Sequence, residues 1–193
     1  MLLAGCVSAK QTPLNLAVQA GNRGQVQALL DAGADVDEPD FLKQTPLQFA
    51  VSKGDEYLVV LLWSHGAEVN HPAAGGTPLF FAPNAPLATL LIDHGADVNA
   101  RHANGATPLF SASNDAVAEV LLARRADPNA RDRSGSRPLF LAVRCSMVAL
   151  LVEHGADVNA TNSKGETPHS TAQRWRLAPI VDCLIAHGAH VAG

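Results

Sequence analysis

The chain has 193 residues, of which 47% are hydrophobic and 17% charged, and its formal net charge is −4. This composition excludes a disordered chain, and no apolar run approaches the roughly 20 residues that cross a bilayer as a helix. The three cysteines, Cys6, Cys145 and Cys183, lie far apart without a CxxC pair, so neither a disulfide framework nor a zinc knuckle is indicated.

The first residues read MLLAGC, and the segment Leu3-Ala4-Gly5-Cys6 resembles the lipobox of bacterial lipoproteins, whose cysteine is lipidated. A signal peptide also needs a basic segment and an apolar stretch of about 7–15 residues, and too few residues precede the motif here. Residues 1–6 are therefore the remnant of a lipoprotein signal, which we favour, or an apolar lead-in to the first repeat. The first alternative predicts a lipid-anchored protein on the periplasmic side of a bacterial envelope, and the second a cytoplasmic protein.

Two phrases repeat along the rest of the chain. Thr-Pro-Leu or its equivalent begins at Thr12, Thr45, Thr77, Thr107, Arg137 and Thr167, with spacings of 33, 32, 30, 30 and 30 residues. Between these positions recurs a phrase of the type LLIDHGADVNA. Threonine is a good helix N-cap, proline is tolerated at the first helical position, and glycine ends a helix in the left-handed conformation. The pattern predicts an all-α chain of helix–turn–helix units.

The two phrases, recurring in phase, resemble the ankyrin repeat, a turn followed by two antiparallel helices. The resemblance implies one ankyrin-repeat solenoid over residues 1–193, with repeats at about 7–39, 40–71, 72–101, 102–131, 132–161 and 162–193. The three central repeats are shortened to 30 residues each. The distance from the helix cap to the residue that ends the second helix is 21 residues in repeats one, two and six, and 18 residues in the three central repeats. Three residues are about one helical turn, so we expect a lost turn, with Asn84 and Asn114 capping second helices after it.

No motif in the chain indicates catalysis, a cofactor or a metal. Four of the eight histidines share one place in the repeat, too far apart to bind one ion; they are His65, His94, His154 and His187. Only His71 and His102, on neighbouring tips, form a weak candidate contact pair. Cys183 takes the place of a buried leucine and is expected to be a core thiol. We therefore predict that the chain is not an enzyme and carries no cofactor.

The ankyrin resemblance implies a protein partner bound on the concave face of tips and first helices. One candidate contact is the tip VDEPDFLKQ, where Phe41 and Leu42 stand among the acids Asp37, Glu38 and Asp40. Exposed apolar residues with a charged rim are typical of a small interaction patch. Alternatively, the two side chains fold down over the first helix.

Arginines form the second candidate. Nine of the ten lie between residues 101 and 176, and the junction of repeats four and five is the densest. There Arg125 replaces the helix-ending glycine and Arg137 replaces a threonine cap, a loss of roughly 0.5–2 kcal/mol. We predict an acidic protein docking on a basic patch of Arg101, Arg125, Arg131, Arg133, Arg137 and Lys164; the alternative is a solvated junction. The acidic chain, without aromatics among these cations, does not indicate a nucleic-acid binder.

These observations favour a non-enzymatic protein–protein interaction module, tethered to the envelope if Cys6 is lipidated. Membrane attachment would then be through lipid alone. The alternative is an inhibitor or immunity-type protein that occludes a partner enzyme. The residues of the tips predict where a partner binds, and they do not predict which protein the partner is.

Overall fold

The computed structural model describes residues 11–73 and 75–190, so Cys6 and the rest of segment 1–6 lie outside the described residues. Within the described part the chain is helical, with an isolated bridge between Ala73 and Gly76 and no β-strand. The predicted all-α class is confirmed. None of the described helices combines the length and apolar character needed to cross a bilayer.

The chain forms two compact units, which meet in sequence at Asp97 and Val98. The first contains α1 (Pro13–Gln19), α2 (Arg23–Asp31), α3 (Pro46–Lys53), α4 (Glu56–Ser64), the 3₁₀ helix Pro78–Phe81 and α5 (Ala85–Asp93). The second contains the 3₁₀ helix Pro108–Ser111, α6 (Asp115–Ala123), the 3₁₀ helix Pro138–Leu141, α7 (Cys145–Glu153), α8 (Pro168–Arg174) and α9 (Ala178–Ala186). Each unit thus holds three pairs of helices, as the repeat pattern predicts.

The shortened repeats differ from the others in their first helix. That helix is an α-helix of seven or eight residues in repeats one, two and six, and a four-residue 3₁₀ helix in repeats three to five. Asn84 Oδ1 then accepts the N–H of Leu87 at 2.9 Å, and Asn114 Oδ1 accepts that of Val117 at 3.0 Å. The expected loss of a turn and both asparagine caps are confirmed.

Leucines of the second helices form the centre of the core. Leu62 and Leu91 in the first unit and Leu121, Leu151 and Leu184 in the second are almost completely buried. Burial of one such side chain contributes about 1.5–3 kcal/mol. These leucines recur once per repeat, so stacking of the repeats is what removes them from water.

Asparagine side chains join each tip to the following repeat. Asn70 Oδ1 accepts the N–H of Asp97 at 2.8 Å, while its Nδ2 donates to the carbonyl of Gly95 at 2.8 Å. The same pair of hydrogen bonds, at 2.7–3.1 Å, recurs in the second unit at Asn99, Asn129 and Asn159. Each asparagine therefore satisfies one backbone donor and one backbone acceptor of the next repeat.

At the first tip, Asp37 occupies this asparagine position. Its two carboxylate oxygens accept the Glu68 N–H at 3.2 and 3.1 Å, but a carboxylate cannot donate the second hydrogen bond. Burial raises the pKa of Asp37, because desolvation of the charged carboxylate outweighs the Glu68 N–H and nearby His71, which lower it. Ionised Asp37 therefore reduces the stability of the folded chain at neutral pH.

A disulfide joins Cys145, at the start of α7, to Cys183 in α9. The expectation that the cysteines form no disulfide, and that Cys183 is a core thiol, is therefore wrong. Their separation of 38 residues concealed the pairing, because the two residues meet only when repeats five and six stack. The bond fastens the last repeat to its neighbour.

We expect Asp37→Asn to raise the free energy of unfolding by about 0.5–1.5 kcal/mol at pH 7, because an amide can also donate to the counterpart carbonyl of Gly66. The pKa of folded Asp37 lies above its unfolded value, so the wild-type chain gains relative stability as the pH falls through it. The difference in free energy of unfolding between the Asp37→Asn chain and the wild type should therefore become smaller at lower pH. Urea denaturation at several pH values measures this, with exposed Glu38→Gln as the control. An Asp37→Asn chain that is less stable at pH 7 would contradict the account.

Loss of the disulfide should lower the free energy of unfolding of the second unit by about 4 kcal/mol, because the bond closes a loop of roughly forty residues in the unfolded chain. The comparison is urea denaturation of the wild type and of Cys145→Ser/Cys183→Ser without reductant. Dithiothreitol should destabilise only the wild type. Equal stabilities without reductant would show that the bond contributes nothing.

Candidate partner-binding surface

Three equivalent tip turns of the second unit stack through backbone hydrogen bonds. The Arg133 N–H donates to the Asn104 carbonyl at 2.8 Å, and the Ser163 N–H donates to the Ser134 carbonyl at 2.9 Å. In the middle turn, Asp132 Oδ1 accepts two backbone N–H groups of its own turn at 2.8 and 2.9 Å. The side chains on these turns are therefore carried by a well-bonded backbone.

Four exposed cations lie on the stacked turns, and together they form what we call the basic edge: Arg101, Arg131, Arg133 and Lys164. Arg101 Nη1 donates to the carbonyls of Gly105 and Arg131 at 2.9 and 2.7 Å, which ties the first turn to the second. Among the residues that the structure describes, Arg131 and Arg133 have no ion-pair partner. Their guanidinium groups are available to a ligand.

Two acidic side chains, Asp132 and Glu166, lie close to the basic edge in sequence, and both accept hydrogen bonds from neighbouring residues. Asp132 Oδ1 also accepts the Ser134 hydroxyl at 2.7 Å. Glu166 accepts from Asn162 Nδ2 at 2.8 Å and pairs with Arg174. Glu166 is thus paired with a cation, whereas Asp132 keeps its negative charge within the turn, so the four cations of the edge leave it with a net positive charge.

Arg125 occupies the left-handed position that glycine holds in the other repeats, with φ of 67°. A non-glycine residue costs roughly 1–2 kcal/mol in this conformation. Its backbone carbonyl accepts Asn99 Nδ2 at 3.1 Å, and the residue is exposed. The substitution therefore weakens the end of α6 while it adds an exposed cation to the second unit.

Arg137 differs from the exposed arginines. Its side chain is only 12% exposed, and Nη1 lies 3.2 Å from Asp157 Oδ2 and 3.1 Å from Asn129 Oδ1. The expected loss of a cap hydrogen bond is wrong, because Thr77 and Thr107 at the equivalent 3₁₀ helices make no side-chain cap either. The change from threonine to Arg137 therefore removes no cap hydrogen bond. The Arg137 side chain instead supports the bridge formed by Asn129, within the second unit.

Phe41 and Leu42 project from the tip that also contains Asp37, in the first unit. They are 53% and 55% exposed, so the alternative in which they fold over the first helix does not hold. Asp40 is buried and its Oδ1 accepts the N–H groups of Leu42 and Gln44 at 2.8 and 2.9 Å. Asp40 therefore supports the turn, and the exposed part of the acidic rim is provided by its other members.

The histidines have local partners. In the four that share one repeat position, Nδ1 lies 2.8–3.0 Å from the carbonyl four residues earlier: His65, His94, His154 and His187. His102 Nδ1 contacts Asn104 Oδ1 at 2.8 Å within its own tip.

Potential metal-binding atoms come together at one place among the described residues, on Asp37, Glu68 and His71, within 4.8 Å of one another. The Asp37 bond to the Glu68 backbone and the 3.5 Å contact of His71 with the Glu68 carboxylate account for this cluster. These contacts are of the same kind as the hydrogen bonds that join the other tips to the following repeats.

The family model described as ankyrin repeats in three copies matches residues 1–73 and 112–192. Comparison with curated proteins finds no match. Among solved structures, the ankyrin repeat domain of Bcl-3, a member of the IkappaB protein family, is 34% identical, with a TM-score of 0.77 over 95% of this chain and 89% of that chain.

Two bacterial structures are also similar. A chain from the complex of the Bdellovibrio bacteriovorus predatory endopeptidase Bd0816 with the immunity protein Bd3460 is 26% identical, with a TM-score of 0.79 over 92% of this chain and 98% of that one. An ankyrin repeat domain from Acinetobacter baumannii AYE shares the fold at 23% identity, with a TM-score of 0.74 and the same coverage. The protein described here belongs to the ankyrin repeat family.

Proposed function

We propose that the chain is a non-enzymatic binding module whose protein partner docks on the basic edge. Ankyrin repeats are protein–protein interaction modules, and family membership supplies the general function. The observation that carries the specific proposal is the pair Arg131 and Arg133, exposed on a hydrogen-bonded stack of turns and without an ion-pair partner in the described part of the chain.

The partner that fits this edge has an acidic surface. Guanidinium groups bind carboxylates through paired hydrogen bonds, and complementary charge at the rim of an interface raises the association rate. Lys164 and Arg101 extend the positive charge along the stack, and Arg125 adds another exposed cation in the same unit. Arg137 is paired internally and would act by supporting the tip backbone.

Phe41 and Leu42 supply a second contact in the first unit. Large apolar side chains inserted into a partner's pocket often dominate binding energy. The buried Asp40 carboxylate holds their turn by two backbone N–H groups, which reduces the entropy lost when a partner binds.

Inhibition of an enzyme is the second candidate function. The chain is similar over almost its whole length to a chain from a complex of an endopeptidase with an immunity protein. An immunity-type protein would place the same exposed cations over the active-site entrance of a hydrolase. In that case the partner's activity is the readout that distinguishes inhibition from scaffolding.

We also propose that the protein works on the periplasmic side of a bacterial envelope, held by lipid on Cys6. The LAGC segment supports lipidation, and the Cys145–Cys183 disulfide supports an oxidising compartment, since disulfides persist in the periplasm and are rare in the cytosol. Diacyl or triacyl modification would give stable attachment to the membrane, because two acyl chains anchor a protein stably, whereas a single acyl chain binds only marginally.

Reversing two charges of the basic edge tests the docking proposal. Arg131→Glu/Arg133→Glu should weaken binding by at least about tenfold at low salt and less at high salt, since screening already reduces the attraction there. The wild-type chain serves as bait in an envelope extract of the native host, and the captured protein is then purified and titrated against both chains at two salt concentrations.

Lys53→Glu/Arg176→Glu is the matched control, because both side chains are exposed, lie outside the basic edge and the Phe41-Leu42 tip, and give the same change in net charge. It should bind like the wild type. Equal affinities for all three chains at both salt concentrations would contradict docking on the basic edge. If the purified partner is a hydrolase, loss of its activity on stoichiometric mixing supports the immunity function, and full activity in the bound state excludes it.

Lipidation is tested on the product of the native locus, upstream sequence included. We expect a mature chain that begins at Cys6, carries added acyl mass and sediments with membranes, and we expect Cys6→Ser to abolish the acyl mass. Intact mass and fractionation provide the measurement. An unmodified product that keeps Met1 and remains in the soluble fraction would contradict the proposal.

A further inference from the structure

The two sulfurs of the Cys145–Cys183 bond lie in different surroundings. Cys145 is exposed at the first position of α7, whereas Cys183, in α9, is only 5% exposed. An approaching thiolate can therefore reach one sulfur much more readily than the other, and the rate of thiol–disulfide exchange depends on this access.

The helix end beneath Cys145 lacks the cap that its counterparts have. Asn84 and Asn114 cap α5 and α6, but Arg144 stands at this place before α7 and makes no side-chain cap hydrogen bond. The N-terminus of α7 consequently keeps backbone N–H groups and the positive end of the helix dipole for a nearby anion. A Cys145 thiolate would be such an anion.

Charged side chains around this helix end are Arg144 and Asp115. Arg144 Nη2 lies 2.7 Å from Asp115 Oδ1. Hydrogen bonding from Ser146 and Arg144 lowers the pKa of Asp115. Part of the Arg144 charge is thus neutralised, so the uncapped backbone is the main stabilising feature for a thiolate.

His187 Nδ1 lies near the other sulfur. This nitrogen lies 2.8 Å from the Cys183 carbonyl and 3.8 Å from Cys183 Sγ. A carbonyl only accepts hydrogen bonds, so Nδ1 carries a hydrogen. The three equivalent histidines contact leucine carbonyls, and in this repeat alone is the residue four positions earlier a cysteine. A thiolate leaving at Cys183 would lie beside this N–H group and would share it with the Cys183 carbonyl.

We propose that this disulfide is a thiol–disulfide exchange site, opened by attack of a dithiol on Cys145. One dithiol thiolate bonds to Cys145 Sγ as the Cys145–Cys183 bond breaks, and Cys183 leaves with the electron pair and takes a proton beside His187. The second thiolate attacks the dithiol's own sulfur in the mixed disulfide, and Cys145 leaves at the α7 N-terminus. In total, two electrons and two protons pass to the protein, and the dithiol becomes a disulfide.

The ligand class is therefore a dithiol reductant, and the reverse reaction re-forms the bond with an oxidised dithiol. Exchange would loosen the contact between α7 and α9, because the disulfide links these two helices directly. A structural disulfide without accessible sulfur would resist such a reaction under native conditions. The inference does not depend on which protein the basic edge binds.

The first experiment uses the folded, oxidised Cys6→Ser chain, so that only the described pair reacts. Incubation with reduced glutathione, acid quenching and peptide mass mapping locate the mixed disulfide. We expect glutathione on Cys145, and complete native-state reduction by dithiothreitol without urea. Glutathione on Cys183, or a bond that opens only in urea, would overturn the proposal.

The second experiment measures the thiol of Cys145 itself with 5,5′-dithiobis(2-nitrobenzoate), in the Cys6→Ser/Cys183→Ser chain. Arg144→Asn supplies the cap found in α5 and α6 and should slow the reaction several-fold, whereas Arg144→Ala, which removes the same charge but supplies no cap, should react at nearly the parent rate. Circular dichroism verifies that each chain is folded. Equal rates in all three chains would overturn the role of the uncapped helix end.

Discussion

Asparagine bridges hold four of the tips at a regular spacing from the following repeats, and the proposed surface depends on them. An amide is the one small side chain that accepts the N–H and donates to the carbonyl of the following repeat at once, as Asn70 and Asn129 do. In the second unit this spacing places the Arg133 N–H on the Asn104 carbonyl. The backbone of the basic edge is therefore held by repeat stacking and does not have to be ordered by the partner.

Departures from the repeat have different physical consequences. Asp37 makes only one of the two bridge hydrogen bonds and its carboxylate is partly buried, whereas Arg137 adds an ion pair to the bridge of Asn129. Arg125 accepts a left-handed conformation. The second unit combines its strained and exposed arginines with a disulfide that fastens α9 to α7. Positive charge and covalent restraint thus occur in the same unit, which is consistent with a surface held in place for binding.

Local signals made much of the fold predictable. Threonine, proline and the leucine pairs determine where helices begin and which side is buried, and Asn84 and Asn114 followed from the shortened spacing. The disulfide was not predictable, because Cys183 is the counterpart of Leu150, five residues beyond Cys145, and the pairing depends on the offset between stacked repeats. The role of Arg137 was also missed, since a 3₁₀ helix removes the cap bond that an α-helix would form.

Family membership establishes an interaction module, and our proposals about the compartment and the partner's charge rest on the disulfide and on the arginines without an ion-pair partner in the described part of the chain. The central claim is that a protein contacts the basic edge in the living cell. Its most direct test is site-specific photo-crosslinking in the native host, with a photoreactive amino acid in place of Arg133 or, for comparison, Lys53. We expect one crosslinked envelope protein from position 133 and none from position 53. No adduct at 133, or the same adducts at both positions, would contradict the account.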